Sequence, residues 1–193
     1  TDFNGCTGSA SVTLTQKPKP LAKIDGLTNV CQGSTVTFTA YASSGTPPYT
    51  YLWSTGATTD FIVIGTAGTY SVTVTDLNGC TGTASRTLTV NPIPSTTISG
   101  TNIICSGNST VFTANPSGGT PGYTYLWSNS ATTQSTTVST TGTYFVTVTD
   151  TKGCTATASR ALTVNPSPSV IINGTTTFCE GNTSQLTTAV SGG

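Results

Sequence analysis

The chain has 193 residues, six Lys+Arg against six Asp+Glu, no His and no Met. With 6% charged residues, Lys17, Lys19, Lys23, Arg86, Lys152 and Arg160 are too few and too scattered to neutralise a phosphate backbone, which excludes nucleic acid as a partner. The absence of His removes the usual general base and metal ligand, no Ser has a plausible base, and Glu180 is the lone Glu, so no catalytic site, metal site or cofactor is expected.

No run of 18 apolar residues exists, so no membrane span is expected. No signal peptide is seen, and the opening TDFNGC reads as the middle of a longer chain.

The sequence repeats itself with a 74-residue offset: TYLWSTGATT at 50–59 recurs as TYLWSNSATT at 124–133, and GTYSVTVTDLNGC at 68–80 as GTYFVTVTDTKGC at 142–154. Cys6, Cys80 and Cys154 fall on this offset, as do Cys31, Cys105 and Cys179. The expected organisation is the C-terminal part of one repeat (1–20), two complete repeats (21–94 and 95–168) and the N-terminal part of another (169–193). A unit of this length can bury a modest core of its own, which favours beads on a string over a continuous solenoid.

Taken in chain order, alternation with period two predicts strands A at 22–30, B at 34–42, C at 49–54, C′ at 56–59, E at 60–64, F at 69–76 and G at 82–91. One face is Val, Phe, Leu or Tyr; the other is Thr or Ser, whose hydroxyls keep a β-branched surface soluble. Turn signals SSGTPP, STGATT, GTAG and LNGC separate the runs. The expected fold is all-β: tandem immunoglobulin-like antiparallel sandwiches of about seven strands, stacked end to end. Trp53 and Trp127 on C, and Tyr70 and Tyr144 opening F at a tyrosine corner, are expected structural residues. Phe38 and Val72 stand where antibody domains carry their inter-sheet disulfide. Tyr49, Tyr51, Tyr123 and Tyr125 beside the B–C loop admit two readings, packing of that pole against the preceding unit or a ligand-facing, sugar-stacking patch; packing is favoured.

Six cysteines at fixed spacing without His argue for disulfides and an oxidising, extracellular location. Cys31 lies at the A–B turn and Cys80 at the F–G turn, and alternating strands put those turns at opposite poles, about 25 Å apart. The preferred pairing is therefore staggered, Cys31 with Cys154, with partners of Cys6, Cys80, Cys105 and Cys179 outside the sequence. The alternative is Cys31 with Cys80 and Cys105 with Cys154. Linkers QKPKPL, VNPIPS and VNPSPS favour stiff polyproline II joints.

GTPPYTYLWSTGATT at 45–59 and GTYSVTVTDLNGCTGTAS at 68–85 resemble the immunoglobulin-like repeats of giant Bacteroidota surface adhesins, best known in the SprB-type gliding-motility adhesins secreted by the type IX system. The pattern is also similar to the PKD domain, but Ser54-Thr55-Gly56 replaces that domain's Gly-Asp-Gly. The resemblance implies an exported, repetitive filament.

Asp76 and Asp150 before the F–G turn read as turn chemistry, since calcium needs more carboxylates than one repeat supplies. The triplets at Asn108, Asn173 and Asn182 fit the N-glycosylation pattern but are expected by chance in a Thr-rich chain. The reading is a structural stalk of a cell-surface adhesin or filament serving attachment or gliding. Its partners would be neighbouring repeats of the same chain and, given the low charge, lateral copies of itself. The alternative is a carbohydrate-, surface- or ice-binding module using Thr/Tyr faces, against which sheet twist counts because it spoils a flat array.

Overall fold

The computed structural model describes residues 1–192. Among them every regular element is a strand, and no helix is long and apolar enough to cross a membrane. The chain divides into two compact units, one over Thr1–Val90 and one from Asn91 onward.

In the first unit β1 (Leu21–Asp25), β3 (Val36–Ser43) and β5 (Phe61–Ile64) form one sheet in the order β1-β3-β5. The other sheet has the order β2-β7-β6-β4, from β2 (Asn29–Cys31), β4 (Thr50–Trp53), β6 (Gly68–Thr75) and β7 (Thr81–Asn91). The period-two pattern explains the layers. Ile24, Phe38, Ala40, Ile62 and Ile64 from the first sheet meet Trp53, Val72, Val74 and Leu88 from the second in one buried cluster. The alternate Thr and Ser residues face outward.

The second unit repeats this with β8 (Pro94–Ser99), β9 (Ile103–Cys105), β10 (Thr110–Gly118), β11 (Thr124–Trp127), β12 (Ser135–Val138), β13 (Gly142–Thr149) and β14 (Thr155–Asn165). Its sheets run β12-β10-β8 and β11-β13-β14-β9. Beyond it, β15 (Ser169–Asn173) pairs antiparallel with β16 (Thr187–Ser191) in the register of β8 with β10, Ser169 opposite Ser191 as Ser95 is opposite Ser117.

The strand forecast differs from this fold in two places. The segment read as C′ (56–59) is turn, because Trp53 and Ala57 close a tight loop through a Trp53 N–H to Ala57 O bond and no neighbour offers it a ladder. The single strand A (22–30) is two strands. Gly26, at φ 141°, lets the chain leave the β1–β3 ladder and cross to β7, where Thr89 N–H donates to Thr28 O. In the second unit the corresponding strand β9 pairs parallel with β14.

Candidate functional site

Trp53 and Trp127 are 2% exposed, and each indole N–H donates 2.9 Å to a loop carbonyl, of Thr59 and Thr133 respectively. Phe38 and Val72 are buried in opposite sheets of the same cluster, with no sulfur between them. Tyr70 O–H donates to Thr66 O at 2.8 Å and Tyr144 O–H to Thr140 O at 3.0 Å, pinning each loop to the start of its following strand. Tyr70 meets Phe38 edge to face at 5.9 Å, as Tyr144 meets Phe112 at 5.8 Å.

Tyr49, Tyr51, Tyr123 and Tyr125 are half-buried against these clusters. Tyr49 and Tyr123 donate their hydroxyls to Ser44 O and Gly118 O within their own B–C loops. Burial, then the charge of Asp60 and the neighbouring Tyr49, pushes the Tyr51 hydroxyl's pKa up. Each of these rings packs against the core of its own unit.

The densest polar constellation lies at the pole where each repeat receives its linker. Asp76 is 5% exposed. Its Oδ2 accepts from Thr46 N at 2.9 Å and its Oδ1 from Asn78 N and Cys80 N, both at 2.9 Å. One carboxylate therefore ties the B–C loop to the F–G turn. The Thr46 amide above all, then those of Cys80 and Asn78, hold its pKa below the ordinary carboxylate value against the opposing effect of burial. Asp150 repeats the cage with Thr120, Lys152 and Cys154, and is lowered in the same way. Asp2 makes the same turn, accepting from Asn4 N and Cys6 N, with no sandwich around it, so the turn is local chemistry. Among the described residues no group of three or more His, Cys, Asp or Glu gathers to hold a metal.

The linker prolines dock on this cage. Pro20 is fully buried. A Cβ on Gly45 would stand 3.0 Å from Asp76 Oδ2 and 3.1 Å from Pro20 N. On Gly119 it would stand 2.8 Å from Asp150 Oδ2 and 3.0 Å from Pro94 N. Only glycine at φ 72° and 65° lets loop, carboxylate and proline close together.

Sequence reasoning missed Arg86 and Arg160 as structural groups. Arg86 Nη1 and Nη2 donate to Ile24 O and Gly26 O, across the two sheets and on either side of the strand switch. Arg160 does the same to Ile98 O and Gly100 O. The recurrence of an Arg at the repeat offset, in a chain with so few cations, was the available signal.

Cys31 and Cys154 are disulfide-bonded, and Cys6, Cys80, Cys105 and Cys179 carry free thiols. Neither within-repeat pair, Cys31 with Cys80 or Cys105 with Cys154, is therefore formed. In the second unit the reason is plain. Cys105 sits opposite Asn165 at the far end of β14, while Cys154 precedes Thr155 at its start. At ~3.3 Å per residue that strand holds them roughly 36 Å apart, far beyond disulfide reach.

Residues 30–58 and 97–132 match the SprB repeat family. The two matched segments begin within β2 and β8 and include the B strand, B–C loop and core Trp of each unit. No curated protein matches the chain. Among solved structures, the C-terminal 282-residue fragment of intimin, in complex with the translocated intimin receptor's intimin-binding domain, is 16% identical. It has a TM-score of 0.45, with 78% of this chain and 66% of that one covered. The mouse nectin-like molecule 4 ectodomain is 14% identical at TM-score 0.34, covering 77% and 65%. The first eight immunoglobulin domains of Down syndrome cell adhesion molecule are 15% identical at 0.41, covering 92% and 33%. The chain thus spans about two thirds or less of these structures' lengths.

Proposed function

We propose that these repeats form the shaft of a long extracellular adhesin or filament, a tether that serves surface attachment or gliding. The repeats are bounded at 20/21, 94/95 and 168/169, and a bridge between Cys31 and Cys154 links the two complete ones. The observation that carries this reading is the polar segregation of the cysteines: within one repeat Cys105 and Cys154 stand at opposite ends of β14. Two residues, Pro92 and Ile93, separate β7 from β8. Cys31 occupies the repeat position of Cys105, at the end where β7 runs out. Pro94 lies against the Asp150 cage that also binds the Cys154 amide. The covalent path thus runs from one cysteine's pole to the other's. A ladder of such bridges would carry tension past each joint. The small, self-contained cores give each repeat its own stability.

Single-molecule stretching of the whole chain tests the reading. The oxidised chain should withhold the contour length between Cys31 and Cys154, and a reductant should release it. Equal extension in both states would overturn the welded-tether reading.

A second reading, a surface- or glycan-binding role, is favoured by one observation: Leu21, Tyr41, Phe61 and Val63 point outward from the β1-β3-β5 sheet and are 47–60% exposed. Binding of the whole chain on a glycan array, lost in Tyr41→Ser, would support it.

A further inference from the structure

The two complete repeats are near copies, yet their linker poles differ at specific positions. Lys17 Nζ donates to Asn78 Oδ1 at 2.5 Å, and Asn78 Nδ2 donates to Thr46 Oγ1 at 2.7 Å, so the first linker is tied to the F–G turn and, through it, to the B–C loop. One repeat later the two partners have exchanged identity: Asn91 stands in the linker where Lys17 stood, and Lys152 in the turn where Asn78 stood. A second difference lies beside the first. A Cβ on Gly82 would fall 2.0 Å from Pro20 O, a backbone atom. The second repeat has Ala156 at that position.

We infer that these two positions form a docking code that assigns the linker at 16–20 to the first repeat and bars it from the second. Seated on the second repeat, Lys17 would face Lys152 across an exposed contact, where like charges repel and no acceptor replaces Asn78. Pro20 would have to shift from the path it takes over Gly82 to clear the Ala156 methyl. The exclusion runs in one direction, since Asn91 opposite Asn78 is neutral.

A tandem array of near-identical domains is prone to swapped docking during folding and between neighbouring chains. A polar exchange plus one methyl group rejects the wrong seat without weakening the right one. The inference rests on the tandem-repeat reading of the joints, not on adhesion or on the Cys31–Cys154 bridge.

Hydrogen exchange of the whole chain, followed over the segment 14–25, tests it. Asn78→Lys creates the mismatch and should speed exchange there about five-fold, the effect of losing one typical hydrogen bond. The double variant Lys17→Asn with Asn78→Lys reproduces the second joint's polarity and should return to within about two-fold of the parent. Gly82→Ala should speed the segment more than either, with the Val72–Val74 core segment unchanged. Should Gly82→Ala fail to fold, the Asn78→Lys and double-variant pair still decides. An unchanged rate in Asn78→Lys, or a double variant as fast as the single, would overturn the code. Because peptide mapping reads the disulfide separately, loss of the code and loss of the tether reading are distinguishable.

Discussion

The Arg86 guanidinium lies over the Phe38 ring, 5.9 Å from its centroid, while donating to the carbonyls of Ile24 and Gly26. One side chain from the second sheet therefore satisfies the backbone carbonyls at the β1–β2 switch and caps the fully buried Phe38 ring of the opposite sheet. Arg86 Nε has no hydrogen-bond partner, so the ring face and the two carbonyls meet most of the charge. Arg86→Lys keeps the charge and loses the planar fork. It should destabilise the first repeat by ~1–3 kcal/mol, read by denaturant unfolding, and Arg160→Lys should do the same to the second.

Gly26 makes the switch possible, and it is the position least able to accept a side chain. A Cβ there would lie 2.5 Å from Thr37 O and 2.6 Å from the Phe38 ring, at a φ of 141° that L residues rarely adopt. Gly26→Ala should cost ~1–3 kcal/mol in strain and ring displacement, and Gly100→Ala the same, by the same measurement.

Asp76 gives the repeat an acid-sensitive latch. Its folded-state pKa lies below the ordinary carboxylate value, so ionised Asp76 stabilises the repeat at neutral pH. As pH falls through the ordinary carboxylate range towards the folded value, that contribution fades. Denaturation midpoints followed from neutral to acid should decline over that range. Asp76→Asn should lower the neutral-pH midpoint and flatten the decline, and Asp150→Asn should act alike in the second repeat.

The strands were readable because Val, Phe, Leu and Tyr alternate with Thr strictly enough to fix both period and face. The 74-residue offset then fixed the repeat. The strand switch was hidden because residues 22–25 and 29–31 serve different sheets from one apparently continuous run, and only the glycine between them hints at the change of partner. The C′ assignment failed because four Thr-rich residues beside a turn look the same as edge strand or loop. The Arg clips and the Asp cages join segments far apart in sequence. Their residue types were visible, but the carbonyls and amides they bind carry no side-chain signature.

The account turns on cysteines that join repeats and do not close them. Non-reducing tryptic mapping of the whole chain addresses this directly, because cleavage after Lys23, Arg86, Lys152 and Arg160 puts Cys31 and Cys80 on one peptide and Cys154 on another. The account predicts the peptide 24–86 linked to the peptide 153–160, separated by reduction, with Cys80 open to alkylation beforehand. A 24–86 peptide closed on itself through Cys31 and Cys80, with Cys154 joined to the Cys105 peptide, would contradict it.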